Sequence, residues 1–199
     1  MYEINNITEI FLIVMVSYIF GSVPFGFLLT KFILKKDIRK IGSGNIGATN
    51  VLRSGNKYIG YTTLILDIIK AVLPVLFVKI YYAEYIYVAS LCAFLGHLFP
   101  VWLKFKGGKG VATYIGILFC LNVYLGIIFC VIWLITFIIF KYSSLSSIFA
   151  TLTIPIMNFL IFENNLIFFY IIFFVLVFFT HRENIKRLIN REETKTKIY

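Results

Sequence analysis

The run GVATYIGILFCLNVYLGIIFCVIWLITFIIF, residues 110–140, contains no charged residue and decides the fold class. A helix needs about 20 apolar residues, at about 1.5 Å per residue, to cross a hydrocarbon core of roughly 30 Å. The run is too long for one crossing and short for two full ones. Other uncharged runs occupy residues 10–30, 85–103 and 142–162. We therefore predict an all-α polytopic membrane protein.

The composition of the 199 residues agrees with this class, since 60% are hydrophobic and only 14% are charged. A net charge of +10 could indicate nucleic acid, but the basic residues cluster beside apolar runs, which indicates topology instead. The three cysteines lie inside apolar runs without metal or redox spacing, so packing is favoured. We predict one domain, residues 1–199, because no repeat or linker interrupts the chain.

The positions of the basic residues predict the orientation. If residues 110–140 break near Asn122 into a short and a full helix, the chain has seven transmembrane helices, with its N-terminus outside and its C-terminus cytoplasmic. All but Lys70 and Lys79 of the 19 Lys and Arg residues then lie on the cytoplasmic side. The first apolar run is expected to be a retained helix, since no basic segment precedes it. The predicted helices are residues 10–30, 58–78, 85–103, the two halves of 110–140, one from 142, and 165–180. The acidic residues expected outside are Glu3, Glu9, Glu84 and Glu163.

Two features lie inside the predicted helices. Pro24 should kink the first helix, and neighbouring helices are expected to satisfy the carbonyl groups that it frees. Asp67 and Lys70 lie three residues apart in the second helix, so they share a face and can pair. Ionisable residues at membrane depth are functional candidates by default. A structural ion pair that faces the bundle is favoured for these two.

The segment Phe105–Thr113, sequence FKGGKGVAT, places three glycines and two lysines between apolar runs. Glycines let successive N–H groups turn inward into an anion nest. A helix beginning at Val111 would point its positive end at the same place. This pattern predicts a phosphate site at the membrane surface. The alternative is a basic turn that only orients the neighbouring helices.

The loop Gly42–Asn50, sequence GSGNIGATN, matches the pattern G-x-G-x-x-G. Membrane helices flank it instead of a strand and a βαβ unit, which excludes a dinucleotide-binding fold. Ala48 stands where a Walker A loop has lysine, which excludes that motif as well. The density of glycines and of polar side chains still indicates a binding loop.

Five further residues lie near the same predicted membrane face. His97 precedes the glycine-rich segment by a few residues. Ser144 and Ser147 share one helix face, and His181 and Asn184 share another, since each pair is spaced three apart. For the serines, close helix packing is the alternative, and for the last pair, a basic amphipathic extension. We expect three polar clusters to converge on the cytoplasmic side, namely the loop 42–50, the segment 105–113 and the pair His181 and Asn184.

The clusters contain phosphate-binding groups and few conventional catalytic ones. The sequence shows no G-x-S-x-G elbow, no catalytic cysteine setting and no metal-ligand pattern. Neither histidine is followed five positions later by aspartate, as in the His-x₄-Asp motif of the common glycerolipid acyltransferases. Such a site suits a substrate that already carries a good leaving group, because positioning and electrostatic stabilisation can then supply most of the catalysis. We predict neither metal nor cofactor.

The motif residues resemble those of a known family along nearly the whole chain. Residues 21–26 with 37–50, residues 96–100 with 105–113, and residues 181–185 are similar to the three motifs of the bacterial acyl-phosphate:glycerol-3-phosphate acyltransferases, the PlsY family. The resemblance implies transfer of a fatty acyl group from acyl phosphate to the 1-hydroxyl of glycerol 3-phosphate. It implies lysophosphatidic acid and inorganic phosphate as products, in the first step of phospholipid synthesis. The family's seven-helix fold with its N-terminus outside agrees with the charge pattern.

The resemblance also implies site residues. The family's phosphate-binding groups fall on Ser43, Arg53, Lys109, Ser147, His181 and Asn184. We assign catalytic roles to Lys109, Ser147, His181 and Asn184. The other phosphate-binding candidates are Gly44, Asn45, Thr49, Asn50, Gly107, Gly108 and His97. The implied mechanism is substrate-assisted, with an oxygen of the acyl phosphate taking the hydroxyl proton; His181 is the other candidate acceptor.

One position departs from the family pattern. The family usually has Leu-x-Gly-x-Glu after the last motif, whereas this chain has Arg191 at the glycine position and keeps Glu193. The expected partners are acyl phosphate, glycerol 3-phosphate, membrane lipid and the soluble enzyme that makes acyl phosphate, without nucleic acid. The expected location is the bacterial inner membrane, with the site facing the cytoplasm. The alternatives are a transporter for a phosphorylated metabolite, which usually shows inverted repeats and a midplane site, and a scaffold without chemistry.

Overall fold

The structure, a computed structural model, describes residues 2–162 and 166–196, and the side chains of 7–161 and 166–196. This part of the chain is helical, and short 3₁₀ turns at Ile38–Lys40, Ala83–Tyr85 and Val101–Leu103 join some of the helices. The α-helices are α1 (Tyr2–Ser22), α2 (Phe25–Phe32), α3 (Ala48–Arg53), α4 (Lys57–Tyr81), α5 (Ile86–Leu98), α6 (Val111–Leu121), α7 (Val123–Phe140), α8 (Ser143–Phe162), α9 (Ile167–Thr180) and α10 (Arg182–Ile189). Glu163, Lys197 and the predicted start of the last membrane helix at Asn165 lie outside the described residues.

Four segments of the described chain are long and apolar enough to cross a membrane. They are Ile7–Phe32, Ala83–Leu103, Val123–Phe140 and Ser143–Ile161. α9 and α10 together make a fifth candidate, bent by 61°. The all-helical membrane class is thus borne out, whereas length and composition do not confirm the predicted number of seven crossings.

The chain divides into two compact units, Met1–Leu121 and Asn122–Tyr199. The first unit contains α1 to α6. α1 packs closely on α5, because Gly21 lies against the Ala93 backbone and Gly96 lies against the Tyr18 carbonyl. Any side chain at either glycine would overlap this backbone. The prediction of a single domain stays a prediction.

The predicted kink at Pro24 is confirmed. α1 ends at Ser22 and α2 begins at Phe25, with Pro24 between them. A side chain of another helix satisfies a carbonyl group in this break, as expected, since Lys70 Nζ donates a 2.7 Å hydrogen bond to the Val23 carbonyl.

The predicted helix over residues 85–103 ends earlier than expected. α5 stops at Leu98, and the chain continues through Phe99 and Pro100 into a 3₁₀ turn. Proline has no N–H to continue the helix, and it disfavours helical backbone at the preceding residue. This early stop directs the chain towards the glycine-rich segment.

The second unit contains α7 to α10. The predicted break near Asn122 is confirmed, because α6 ends at Leu121 and α7 begins at Val123. The Asn122 side chain accepts hydrogen bonds from the N–H groups of Tyr124 and Leu125, at 2.9 and 3.3 Å, so it caps α7. At the other end of the unit, the Thr196 N–H donates to the Lys141 carbonyl at 2.9 Å, which fixes the tail after α10.

Candidate active site

One buried side chain organises the loop Gly42–Asn50. The Asn50 amide nitrogen donates to the carbonyl groups of Asn45, Ile41 and Ile38, at 2.7, 2.9 and 3.3 Å. Its Oδ1 accepts from the Ser43 N–H at 2.9 Å. Asn50 therefore acts as an internal template for the loop backbone. Its predicted direct contact with substrate phosphate stays a prediction.

The loop needs glycine at two of its turns. Gly42 and Gly44 have φ values of +56° and +71°, in the left-handed region that glycine adopts without steric cost. A side chain at Gly42 would also strike the Asn50 Oδ1. The G-x-G pattern thus serves backbone geometry around Asn50, a purpose unrelated to dinucleotide binding.

An ion pair and an aromatic ring fix the segment before this loop. The Arg39 guanidinium binds both carboxylate oxygens of Asp37, at 2.8 and 2.9 Å, and stacks over the Phe27 ring, 4.6 Å from its centroid. The hydrogen bond from Arg39 is the main cause that lowers the pKa of Asp37 to about 2. Asp37 is therefore ionised throughout the neutral range, and the pair holds the segment that precedes Gly42.

The other predicted residues of this loop are accessible to different degrees. Ser43 is exposed, while Gly44, Asn45 and Thr49 are half-buried. The half-buried Arg53, at the end of α3, lies beside the start of the loop, because a Cβ at Gly42 would be 3.7 Å from Arg53 Cδ. The structure thus brings Arg53 next to the residue that precedes Ser43.

The glycine-rich segment does not form the predicted anion nest with its first two glycines. The Gly107 N–H donates to the Leu98 carbonyl at 3.0 Å, and the Gly108 N–H donates to the His97 carbonyl at 3.1 Å. These donors satisfy carbonyl groups at the end of α5, which Pro100 prevents the helix from satisfying itself. Both glycines are required by packing, since a Cβ at Gly107 would strike the His97 carbonyl and one at Gly108 would strike the His97 ring.

The predicted helix start at Val111 is confirmed, which places Lys109 two residues before α6. Gly110, with a φ of +85°, makes the turn into the helix. Lys109 is half-buried, whereas Lys104 and Lys106 are exposed. The N-terminus of α6 thus lies two residues after a half-buried lysine, and a helix N-terminus and a lysine both favour an anion.

His97 connects this segment to the predicted ion pair. Lys70 Nζ lies 2.8 Å from Asp67 Oδ1, and both side chains are buried, so the pair is confirmed. The His97 Nδ1 lies 3.9 Å from the same oxygen, and the His97 side chain is buried as well. Three ionisable residues of α4 and α5 therefore meet directly behind Gly108.

In the second unit, Glu193 gathers three donors. Its Oε1 accepts from Asn184 Nδ2 at 2.7 Å and from the Ser144 hydroxyl at 2.9 Å, and its Oε2 accepts from Arg187 Nε at 2.7 Å. Burial alone would raise the pKa of Glu193, but these hydrogen bonds and the Arg187 charge outweigh it and hold the pKa below its ordinary value. Glu193 therefore stays ionised and holds the tail against α8 and α10.

The remaining predicted catalytic residues of this unit are also buried. His181 Nδ1 lies 2.8 Å from the Val177 carbonyl. A carbonyl oxygen can only accept, so Nδ1 carries a proton and Nε2 is the acceptor of the neutral ring. The Ser147 hydroxyl donates to the Ser143 carbonyl at 2.8 Å and accepts from Trp133 Nε1 at 3.1 Å. Both catalytic candidates are held in defined orientations.

The sequence gives only weak signals for the residues that orient the catalytic candidates of the second unit. Glu193 was singled out only through the family pattern, and Ser144 only by sharing a helix face with Ser147. Trp133 gave no signal, because a tryptophan in an apolar helix is most simply explained by packing. The predicted convergence of the loop 42–50, the segment 105–113 and the pair His181 and Asn184 stays a prediction.

The chain is similar in sequence to known proteins. The glycerol-3-phosphate acyltransferase family model matches residues 11–191. The chain belongs to this family. A glycerol-3-phosphate acyltransferase of Pelagibacter ubique (strain HTCC1062) is 65% identical, over 96% of this chain and 100% of the relative. One of Mesorhizobium japonicum is 47% identical, over 90% of this chain and 92% of the relative.

Solved structures show the same fold in this family. PlsY, an integral membrane glycerol 3-phosphate acyltransferase, was crystallised in a glycerol 3-phosphate form and in a lysophosphatidic acid form. The first is 35% identical with a TM-score of 0.88, covering 95% of this chain and 96% of that one. The second is 35% identical with a TM-score of 0.84, covering 94% and 95%. This glycerol-3-phosphate acyltransferase family member therefore has an all-helical integral membrane fold like that of PlsY.

Proposed function

We propose that this chain transfers a fatty acyl group from acyl phosphate to the 1-hydroxyl of glycerol 3-phosphate. One observation carries the proposal, namely the likeness over 95% of the chain, at 35% identity, to PlsY in its glycerol 3-phosphate form. The same enzyme was also crystallised in a lysophosphatidic acid form, which is named for the corresponding product. Lysophosphatidic acid and inorganic phosphate are the products of the proposed reaction, which begins phospholipid synthesis.

The reaction needs little covalent assistance from the protein. The 1-hydroxyl oxygen forms the new ester bond to the acyl carbon, and the bond from that carbon to phosphate breaks. The hydroxyl proton passes to a phosphate oxygen, so inorganic phosphate leaves as the hydrogen phosphate. Phosphate is a good leaving group, so charge stabilisation and orientation supply most of the rate enhancement.

In the first unit, we assign phosphate recognition to Ser43, Arg53 and Lys109. Ser43 is exposed on a loop whose backbone Asn50 holds, and Arg53 lies beside that loop. Lys109 is half-buried just before α6, where the helix N-terminus adds to its attraction for a dianion. A fork-shaped guanidinium and a mobile ammonium are both suited to phosphate oxygens.

In the second unit, we assign substrate contacts to Ser147, His181 and Asn184. Asn184 is buried and oriented by Glu193 at 2.7 Å, and His181 is oriented by the Val177 carbonyl at 2.8 Å. Preorganised donors and acceptors of this kind stabilise developing charge without reorganising during the reaction. We assign both units to one acyltransferase domain, and the family match, which runs through both, supports this.

We propose acyl phosphate, rather than a thioester, as the donor. The sequence has no His-x₄-Asp motif and no nucleophile-elbow motif. Its basic and polar residues suit a substrate that carries phosphate on both donor and acceptor. The soluble enzyme that makes acyl phosphate is the corresponding partner.

We also propose seven crossings. The first is formed by α1 together with α2. The other six are formed by the helices from α4 to α9, one each, and α6 is a short crossing. α4 has 25 residues, so at about 1.5 Å per residue it reaches roughly 37 Å. Lys79, one of the two basic residues off the cytoplasmic side, donates to the Cys120 carbonyl at the end of α6, which gives it a local structural role. The N-terminus lies outside, and the site lies on the cytoplasmic face of the bacterial inner membrane.

Purified protein with acyl phosphate and glycerol 3-phosphate tests the function. We expect release of inorganic phosphate together with lysophosphatidate, both dependent on glycerol 3-phosphate. Phosphate release without lysophosphatidate would indicate simple hydrolysis and would contradict the proposal. The transporter alternative is tested with sealed vesicles that contain this protein and glycerol 3-phosphate but no acyl donor. Efflux of glycerol 3-phosphate that depends on the protein would favour the transporter.

A further inference from the structure

A buried polar cluster lies at the centre of the first unit. It consists of Asp67 and Lys70 of α4, His97 of α5 and the carbonyl of Val23. Each of the three side chains has only 3 or 4% of its surface exposed. Charged side chains at this depth are costly unless they are paired and hydrogen-bonded. The contacts on either side of the Asp67–Lys70 pair indicate its structural role.

On one side, the pair supports the break between α1 and α2. Lys70 Nζ is 2.8 Å from Asp67 and donates to the Val23 carbonyl at 2.7 Å. Val23 lies directly before Pro24, where helical hydrogen bonding is interrupted. The same ammonium lies 5.9 Å from the Phe25 ring centroid, over the first residue of α2. Lys70 thus holds the backbone at the break from which α2 leads to the Ser43 loop.

On the other side, the pair lies behind the glycine-rich segment. Asp67 Oδ1 is 3.9 Å from His97 Nδ1, and in the described part of the chain neither atom has a hydrogen-bond partner beyond the Lys70 ion pair. A small shift of the ring would bring the two atoms to hydrogen-bond distance. Asp67 therefore places a carboxyl group 3.9 Å from a ring that Gly108 covers.

His97 passes this restraint to the backbone that presents Lys109. Its carbonyl accepts the Gly108 N–H at 3.1 Å, and its ring lies against the Gly108 Cα so closely that no side chain would fit. Gly110 packs in the same way on the Phe94 ring. The position of Lys109 is thus determined by the two glycines that flank it, one resting on His97 and the other on Phe94.

We infer that Asp67 and Lys70 are positioning residues for acyl transfer, acting through His97 and the Gly107–Gly110 segment on Lys109. This rests on the proposed function, in which Lys109 binds phosphate. Because both side chains are buried, we assign the pair no direct contact with substrate. Its task is to hold the proline break and the glycine segment in fixed register, because a misplacement of about 1 Å in such a site can cost about 10²-fold in rate.

The competing explanation is that the pair only joins helices. Replacing a buried ion pair by apolar side chains of similar volume is often neutral or stabilising. The double variant Asp67→Leu/Lys70→Met therefore separates the two explanations. We expect a thermal melt in detergent close to that of the wild type, because removing two buried charges offsets the lost hydrogen bond to the Val23 carbonyl, with kcat reduced by about 10-fold to 10²-fold. Ser90→Ala, at another buried polar position of α5, is the matched control and should keep wild-type kinetics.

A double-mutant cycle with Lys109→Ala shows whether the effect passes through Lys109. If it does, the Asp67→Leu/Lys70→Met change should lower kcat by less than about 3-fold in the Lys109→Ala background, since residues that act as a unit are not additive. Equal factors in both backgrounds, or wild-type kcat in the double variant, would overturn the inference. If the double variant does not fold, the isosteric Asp67→Asn change takes its place in the same cycle. Full activity of Lys109→Ala alone would instead refute the role of Lys109 in the proposed function.

Discussion

The Asn184 amide donates a 2.7 Å hydrogen bond to Oε1 of Glu193, nine residues later in the chain. Glu193 also takes a hydrogen bond from Arg187, so the carboxylate joins the last helix to the tail that follows it. A motif residue is thereby oriented by a residue outside the motif.

We predict that Glu193 makes the stability of the second unit dependent on pH. Its pKa in the folded chain lies below its ordinary value, so its contribution is present above the unfolded pKa and is lost as the pH falls through the folded pKa. The thermal melting temperature should therefore fall on acidification below the ordinary glutamate range. Glu193→Gln should melt lower than the wild type at neutral pH and show a weaker acid dependence. Parallel curves for the two proteins would contradict the prediction.

We predict that Lys109→Ala lowers turnover by about 10² to 10³, the usual cost of removing one donor from a preorganised site. The protein should still fold, because this half-buried side chain lies at the start of α6 and outside the buried core. Lys104→Ala is the matched control, since Lys104 is exposed in the same loop. Phosphate release is compared after matching melts are confirmed. Equal activities would mean that the segment is only a basic turn.

We predict that Asn50→Ala lowers activity through the loop that carries Ser43. The substitution removes two hydrogen bonds to the loop backbone, at Ser43 and Asn45, and two to the segment before it, at Ile38 and Ile41. Leaving buried backbone groups unsatisfied costs about 1–3 kcal/mol each, so the loop should rearrange. Asn56→Ala removes the cap of α4 and is the control, expected to cost about 0.5–2 kcal/mol of stability with activity retained. Loss of stability without loss of activity in Asn50→Ala would contradict this prediction.

We predict that Arg191→Gly stabilises the chain. Arg191 has a φ of +60°, the left-handed region in which a side chain is strained by roughly 1–2 kcal/mol. Glycine, the usual family residue here, removes this strain. It also increases the conformational entropy of the unfolded chain, which reduces the gain in stability by about 0.4–1 kcal/mol. A rise of melting temperature with unchanged kcat is expected. Arg191→Ala keeps the strain and should show no such rise.

We predict that residues 45 and 122 lie on opposite sides of the membrane. A cysteine placed at Asn122 should react with an impermeant reagent from outside, and one at Asn45 only after permeabilisation. The background should lack Cys92, Cys120 and Cys130, which are free in the structure. Labelling of both positions from the same side would rule out the seven-crossing topology.

The features that could be predicted from sequence are those that depend on separation along the chain. The break at Asn122 follows from the length of an uncharged run and from charge parity, and the Asp67–Lys70 pair follows from the helical repeat. The family motifs identified the loops and most of the candidate site residues. The predicted end of the third helix at Leu103 was wrong, because Pro100 ends α5 at Leu98 although the apolar run continues.

What the sequence determined by itself was therefore the membrane class, most helix positions and the family, because periodicity, length and motif spacing are properties of one dimension. Only the tertiary structure decided which partners the polar groups find. The Gly107 and Gly108 N–H groups satisfy carbonyls at the end of α5, and the Asn50 amide satisfies the loop backbone. A buried donor bonds to whichever acceptor packing brings within about 3 Å, and the order of residues along the chain does not by itself name that acceptor.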